Sequence, residues 1–320
     1  LSIPVDNPNA IFMFPIGLYA VGKFIKVEDL EKKIIFKINY LGSIAIVVAI
    51  IPIFGLLMFN KLSHNQPLKL SGTLTAVRTI GDDGLPVKRP EQQNLDLETI
   101  IKSNEKRKTA SGFFRTRNLV NGLYIHLISP DRGTITFAPI MLFGLVGILK
   151  FPKEHKAIRE TLIATGASIL LLYSLWGDPW GGWAFGSRYM IPAYAILSIF
   201  LGVGLKYLTK NYLLSIFFVL TLIYSLAVNT AGAISSNRNP PQVEILALEK
   251  ISNRVELYSF DRNWEMLTSN HSKSYFFTNY LQGGQVSAKD FYYVLAGTNI
   301  SVLLLLYTIF AYRNFKIRNA

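Results

Sequence analysis

Long apolar runs alternate with short polar or basic segments along most of the chain. A helix needs about 20 mainly apolar residues to cross the hydrocarbon core of a bilayer. The pattern therefore predicts an all-α polytopic membrane protein with about seven transmembrane or membrane-embedded helices. These helices are expected at residues 10–21, 38–59, 134–149, 161–176, 190–208, 212–234 and 291–312.

The runs at 134–149 and 161–176 are short for a full crossing. They would need a locally thinned bilayer, flanking anchors or partial insertion. The first run, at 10–21, is shorter still, and the chain begins at Leu1 rather than Met. We therefore expect the sequence to be the C-terminal part of a longer protein.

The distribution of basic residues orients the predicted helices. Lys and Arg concentrate in the connections at 22–37, 150–160 and 206–210 and in the tail at 313–318, which all fall on one side if seven helices alternate. Short cytoplasmic loops carry such an excess, whereas long translocated loops largely escape the rule. The N-terminus of this chain is therefore predicted to lie outside and the C-terminus in the cytoplasm.

This topology divides the chain into five regions, with two sizeable extracytoplasmic loops. The regions are two N-terminal membrane segments at 1–59, an outer loop at 60–133, a four-helix membrane core at 134–234, an outer loop at 235–290, and a last membrane helix with a basic tail at 291–320. The spacing of apolar residues predicts one short amphipathic helix in each outer loop, near 95–101 and near 243–251.

Composition agrees with a membrane environment. Half of the 320 residues are hydrophobic, 17% are charged, and mean hydropathy is +0.31. The chain has no Cys, which excludes disulfides and thiolate metal sites. The net charge of +13 lies mostly in the predicted cytoplasmic loops, where it would face anionic lipid headgroups. A nucleic-acid partner is therefore not expected.

A polar and aromatic loop at 176–189, called the tryptophan loop below, interrupts the membrane core. It contains Trp176, Trp180 and Trp183 together with Asp178 and Arg188. Trp side chains suit the headgroup layer of a bilayer, and an Arg fork can donate two hydrogen bonds to a phosphate. The alternative is that Asp178 and Arg188 pair with each other while the Trp side chains anchor helix ends. Glycines at 181, 182 and 186 allow backbone conformations that side chains disfavour.

A second motif, residues 129–133, is called the Asp-Arg turn below. It contains Asp131 and Arg132 and precedes the apolar run at 134. By topology it faces the same side as the tryptophan loop, so Asp131, Arg132, Asp178 and Arg188 could form one site. The alternative is a helix-starting turn with Asp131 near the positive end of the helix dipole.

The Asp-Arg turn and residues 180–189, in this order and separation, resemble bacterial GT-C glycosyltransferases related to the dolichyl-phosphate-mannose protein mannosyltransferases. The resemblance covers about residues 127–205. It implies a bacterial-type plasma membrane location and transfer of a sugar from a polyprenyl-phosphate donor. The acceptor would be a glycan, lipid or protein on the outer face.

The resemblance also implies roles for individual residues. Arg188, and secondarily Arg132, would stabilise the phosphate leaving group, and Trp180, Trp183 and Tyr189 would be platforms for sugar or isoprenoid. In such families an acidic residue near the start of the full chain activates the acceptor, and no residue of this sequence is assigned that role. No cofactor is evident, and a divalent metal is left open. The alternatives are a non-catalytic membrane assembly protein or a lipid or solute transporter.

Overall fold

The computed structural model describes residues 9–30, 33–38, 40–68 and 114–319. The chain divides into two compact units, Leu1–Thr116 and Arg117–Ala320. The boundary falls inside the predicted outer loop at 60–133. The helix predicted near 95–101 lies outside the described residues.

The described part of the first unit contains two helices that flank a two-stranded hairpin. Helix α1 spans Asn9–Phe24, strands β1 and β2 span Ile25–Leu30 and Lys33–Ile38, and helix α2 spans Tyr40–His64. The strands are antiparallel, with Ile25 opposite Ile38. The sequence predicts a basic connection between two membrane helices here. The structure has a hairpin instead, since the β-branched residues of both strands favour extended structure.

In the second unit every described regular element is helical, as the all-α prediction requires. Its α-helices are α3 (Leu119–Leu127), α4 (Thr134–Phe137), α5 (Gly144–Leu149), α6 (Lys156–Ser174), α7 (Ile191–Leu208), α8 (Tyr212–Ile234), α9 (Ile245–Ser252), α10 (Asp261–Thr268) and α11 (Ala288–Asn319). Short 3₁₀ helices at Thr116–Asn118, Pro139–Phe143, Lys153–His155, Arg188–Met190 and Gln242–Glu244, and a π-helix at Phe277–Leu281, complete the set.

Four described helices are long and apolar enough to cross a membrane, which is typical of an integral membrane protein. These segments are Gly42–Ser63, Arg188–Leu208, Tyr212–Ile234 and Ala288–Lys316. Ala10–Phe24 and Pro139–Leu149 are apolar but shorter. The predicted run at 134–149 is broken into three pieces, because Pro139 lacks a donor and starts a 3₁₀ helix. The predicted run at 161–176 lies in α6, whose first turn is charged.

The long helices of the second unit pack at both of their ends. At one end, Ile234 of α8, Leu267 of α10 and Tyr292 of α11 belong to one buried cluster. At the other end, Leu208 of α7 and Phe218 of α8 are buried together. The contacts within each end determine which loops lie on the same side of the second unit.

Several basic residues of the second unit lie at the end formed by the α7–α8 turn. The Lys150 and Lys210 ammonium groups lie 5.9 and 5.4 Å from the Tyr207 ring centroid. Asn314 Nδ2 donates to Thr209 Oγ1 at 3.5 Å, which places the C-terminal part of α11 at the same end. The tryptophan loop, the Asp-Arg turn and residues 235–287 lie at the opposite ends of these helices.

The connection at residues 235–287, called the helical connection below, is ordered by four helical elements. The helix predicted near 243–251 is present as α9, preceded by a 3₁₀ turn at Gln242–Glu244. Helix α10 was not predicted, because it is only eight residues long and its sequence is mostly polar. The connection is therefore a small folded cap on the helical bundle rather than an open loop.

Candidate functional site

Three segments meet at one end of the second unit: the tryptophan loop, the Asp-Arg turn and the start of the helical connection. The Ala184 amide donates to the Asn239 carbonyl at 3.0 Å, which joins the tryptophan loop to the helical connection. The Gln242 amide donates to Asp131 Oδ2 at 3.1 Å, which joins the helical connection to the Asp-Arg turn. The structure therefore brings both sequence motifs together, and adds a third segment that the sequence analysis had not linked to them.

Arg132 is the central connector of these three segments, and it is fully buried. Its Nε donates to the Trp180 carbonyl at 3.1 Å, and its Nη2 donates to the Gly182 and Asn239 carbonyls at 2.8 and 3.1 Å. Its Nη1 donates to the Asp131 carbonyl at 2.6 Å. These carbonyl dipoles replace water around the guanidinium, so Arg132 acts as a structural clamp in this conformation.

Burial lowers the pKa of the Arg132 guanidinium from its ordinary value, and the nearby Arg188 charge lowers it further. Attraction from Asp131 and Asp178 opposes this shift. An arginine stays protonated in proteins across ordinary pH, so the clamp keeps its positive charge. The charges of Asp131, Asp178 and Arg188 all act on Arg132, which is consistent with one site.

Asp131 is also fully buried, and both of its carboxylate oxygens are used. Oδ1 accepts from Ser129 Oγ at 2.7 Å, and Oδ2 accepts from the Gln242 amide. The second bond places the carboxylate at the first turn of the 3₁₀ helix that leads into α9, where negative charge is favourable. Asp131 therefore supports the helical connection, while α4 begins after Gly133 without a side-chain cap.

The tryptophan loop is held in a tight conformation by its glycines and by Asp178. Gly181, Gly182 and Gly186 all have positive φ angles, as the sequence analysis anticipated. Asp178 is exposed, and its Oδ2 accepts from the Gly182 amide at 3.1 Å. A Cβ on Gly181 would lie 3.1 Å from Arg188 Nε, so this glycine also makes room for the arginine side chain.

The aromatic residues of the loop have three different environments. The Trp180 side chain is half-buried, and its carbonyl binds Arg132. Trp183 is 40% exposed, and its Nε1 donates to Glu244 Oε2 at 2.7 Å. Tyr189 stacks on Tyr173 at a centroid distance of 4.2 Å. The three residues therefore do not form one continuous aromatic surface.

Arg188 is the exposed arginine of the site. Its Cζ lies 5.4 Å from the Tyr189 ring centroid. Among the described residues it forms no ion pair, so the predicted alternative, pairing with Asp178, is not present in this conformation. Its guanidinium is available to an anion.

Arg188 lines a cavity of about 380 Å³ between the start of α7, the end of α8 and residues 137–141. The walls are mainly apolar, with Phe137, Ile191 and Leu226 among them, and Asn229 and Ser225 add polar groups. An apolar cavity with one cation at its edge suits a ligand that has a hydrocarbon part and an anionic head.

Sequence reasoning missed His126, which supports the base of the tryptophan loop. It is fully buried in α3, and its Nδ1 lies 2.9 Å from Ser187 Oγ. Burial lowers the pKa of His126, with a backbone contact to Tyr173 opposing the shift, so the ring is expected to be neutral at pH 7. The sequence did contain a signal for this residue, because His126 is a single His within the apolar sequence of α3.

Sequence reasoning also missed the buried amide pair formed by Asn239 and Asn263. Asn239 Nδ2 donates to Asn263 Oδ1 at 2.7 Å, and Asn263 Nδ2 donates to the Ser236 carbonyl at 2.6 Å. This pair attaches α10 to the start of the helical connection. Because Asn239 also offers its carbonyl to Arg132, the amide pair and the arginine clamp are directly connected.

The described residues include no group of three or more His, Asp or Glu side chains that could hold a metal ion. No protein-family model matches the chain, and no curated protein or solved structure is significantly similar to it. The resemblance to GT-C glycosyltransferases therefore stays a prediction from two motifs. Function is inferred from the site alone.

Proposed function

We propose that the protein transfers a sugar from a polyprenyl-phosphate donor to an acceptor outside the membrane, and that this chain binds the phosphate end of the donor. The observation that carries the proposal is Arg188, which is exposed, forms no ion pair with any described residue and lines an apolar cavity of about 380 Å³. The cavity would hold the isoprenoid segment next to the phosphate. Arg188 would bind the phosphate oxygens.

This arrangement suits the chemistry of the leaving group. When the bond between the sugar and the phosphate breaks, negative charge develops on the phosphate, and a positioned guanidinium stabilises that charge. The buried Arg132 adds positive potential from behind the loop, since the nearby Arg188 charge lowers the pKa of Arg132. An anion between them would relieve this repulsion.

We also propose that the site faces the outside of a bacterial plasma membrane. The site lies at one end of the long helices of the second unit, and Lys150, Lys210 and the C-terminal part of α11 lie at the other end. An excess of Lys and Arg in short loops is typical of the cytoplasmic side. This orientation puts the C-terminus in the cytoplasm.

The first experiment measures binding of a long-chain polyprenyl phosphate to the purified protein in detergent, with the uncharged polyprenol of equal length as a comparison. We expect Arg188→Ala to weaken binding of the phosphate about 10- to 100-fold, because hydrogen bonds to charged groups contribute about 1.5–3 kcal/mol. Arg188→Lys should lose less, since it keeps the charge but not the two-pronged geometry.

The matched control is Arg313→Ala, which removes an exposed arginine from α11 far along the helix from the site. It should bind the phosphate as well as the unmodified protein. Equal binding of polyprenol and polyprenyl phosphate, or unchanged binding by a folded Arg188→Ala variant, would contradict the proposal. Release of radiolabelled hexose from a polyprenyl-phosphate hexose then tests transfer itself, and binding without release would favour the non-catalytic alternative.

A further inference from the structure

A second cavity, of about 550 Å³, lies in the helical connection and is distinct from the cavity at Arg188. Trp183 of the tryptophan loop forms part of its wall, and the helical connection forms the rest, through Ser236, Arg238, Arg254, α10 and residues 269–273. The two cavities share no lining residue. Trp183 and Arg188 nevertheless belong to the same loop, so the two cavities lie on neighbouring parts of the site.

The second cavity is strongly basic. Its lining includes the cationic side chains of Arg238, Arg254, Arg262 and Lys273, and one carboxylate, that of Glu265. Electrostatic focusing in a cleft lined by one sign of charge raises the local concentration of oppositely charged molecules. The cavity is therefore complementary to an anion.

Two of these cations are held in place by a carboxylate that lies outside the lining. Glu256 is buried, with Oε1 2.9 Å from Arg254 Nε and Oε2 2.7 Å from Arg262 Nη1. The hydrogen bond from Arg254, followed by others including that from Arg262, lowers the pKa of Glu256 to about 2, against the opposing effect of burial. Glu256 therefore stays ionised at neutral pH and keeps both guanidinium groups fixed.

Arg238 and Lys273 supply positive charge that no described carboxylate neutralises. Both side chains are exposed, and among the described residues neither forms an ion pair. Their backbones are fixed, because the Lys273 amide donates to the Ser235 carbonyl at 2.6 Å and the Arg238 amide donates to Ser236 Oγ at 3.1 Å. The structure thus presents two cations on a rigid frame.

Trp183 gives the cavity an aromatic wall. Its indole is oriented by the hydrogen bond to Glu244 and by the Arg262 guanidinium, whose Cζ lies 5.9 Å from the ring. The ring stays 40% exposed, so part of its surface is available to a ligand. An amphipathic, preorganised aromatic ring suits the apolar face of a sugar.

We propose that this cavity binds an anionic carbohydrate, with the sugar against Trp183 and its carboxylate or phosphate groups on Arg238 and Lys273. This carbohydrate would be the acceptor of sugar transfer, a role that rests on the proposed function. The existence of the binding site does not rest on it, because the residues that form the site are separate from the cavity at Arg188.

The experiment titrates the purified, donor-free protein with three probes and follows binding by isothermal titration calorimetry. The probes are tetragalacturonate, glucose 1-phosphate and the neutral tetrasaccharide maltotetraose. We expect at least one anionic probe to bind at least 10-fold more tightly than maltotetraose, and this difference should shrink between 50 and 300 mM NaCl because salt screens exposed charges. Preference for the first or second probe identifies the anionic group as a carboxylate or a phosphate.

Arg238→Ala/Lys273→Ala should weaken binding of the preferred probe at least 10-fold. The matched control, Lys250→Ala/Lys289→Ala, removes the same charge from exposed positions in α9 and α11 that do not line the cavity. Trp183→Ala should also weaken binding, and Trp183→Phe should retain more of it. Comparable thermal unfolding of all variants establishes that the loss is local.

The proposal is overturned if neither anionic probe binds better than maltotetraose, or if the double variant loses no more affinity than its control. Arg188→Ala provides the separation from the proposed function. It should lose polyprenyl phosphate binding while it keeps binding of the anionic sugar. Donor binding by the Arg188→Ala variant therefore tests the proposed function, and sugar binding by the Arg238→Ala/Lys273→Ala variant tests the second site independently.

Discussion

Arg188 lies close enough to lower the pKa of Arg132, yet the surroundings of the two arginines are opposite. Arg132 is fully buried and donates to the carbonyls of three segments, whereas Arg188 is exposed at a cavity. A residue whose donors are already engaged contributes little to binding a new anion. We therefore assign the phosphate contact to Arg188 and a positioning role to Arg132.

Replacing Arg132 should destabilise the protein rather than only its ligand binding. Arg132→Met leaves the Trp180, Gly182 and Asn239 carbonyls without their buried donor, and each such loss costs about 1–3 kcal/mol. Thermal unfolding in detergent should occur at a clearly lower temperature, and the tryptophan loop should become sensitive to protease. Arg132→Lys should recover only part of the stability, because an ammonium group cannot reproduce the planar fork.

Arg313→Met is the control for the change of charge and size, since Arg313 is exposed near the end of α11. Identical unfolding of Arg132→Met and Arg313→Met would show that Arg132 is not a clamp.

At the level of single residues, the sequence predicted the glycine conformations of the tryptophan loop, because positive φ angles depend on the local residue type. It could not predict where Asp131 and Arg132 point. Their partners include Asn239 and Gln242, which lie more than a hundred residues away along the chain. Long-range backbone contacts of this kind leave no periodic signal in a single sequence.

Among the helices, α8 was predicted with its observed bounds, Tyr212–Ile234. Its apolar run is continuous, and Asn211 caps its start by accepting a hydrogen bond from the Leu214 amide at 3.2 Å. The run at 134–149 was predicted as one helix, but it breaks at Pro139. The piece that follows the break, α5, packs closely on α7 through small residues.

The contact between α5 and α7 depends on Gly147. A Cβ at this position would overlap the backbone carbonyl of Phe200 in α7. Gly147→Ala should therefore force the two helices apart and lower the free energy of unfolding by about 1–3 kcal/mol, as overpacking typically does. Thermal unfolding in detergent measures the change.

Gly202→Ala is the matched control, since a Cβ at Gly202 in α7 meets nothing within 4 Å. It should leave stability unchanged or slightly raised, because Ala favours helix over Gly. A Gly147→Ala variant as stable as the Gly202→Ala variant would mean that α5 and α7 do not pack this closely.

For the whole molecule, the proposed orientation can be tested directly because the natural chain has no Cys. Lys250→Cys introduces a thiol on α9 in the helical connection, and Lys210→Cys introduces one in the turn between α7 and α8; both positions are exposed. In intact bacterial cells, a membrane-impermeant maleimide should label only the cysteine at 250. The cysteine at 210 should react after permeabilisation.

Labelling of the cysteine at 210 but not of that at 250 in intact cells would show that the orientation is opposite to the proposed one. Labelling of both would contradict a membrane crossing between them.

The sequence predicted the helical class and the separation of basic loops from the motif loops, because both follow from composition along the chain. The number of crossing helices stays a prediction: four described segments are long and apolar enough to cross, whereas the runs at 134–149 and 161–176 contain a proline break and follow a charged first turn, respectively.

The Arg132 clamp binds carbonyl oxygens rather than side chains, and this has a consequence for the evolution of the protein. Arg132 recognises the main chain at positions 180, 182 and 239, so the identity of the side chains there is not part of the recognition. A substitution of the half-buried Trp180 side chain can therefore change the surface of the tryptophan loop while Arg132 still holds the three segments together. The anchoring of these segments is thus separable from the side chain presented at position 180.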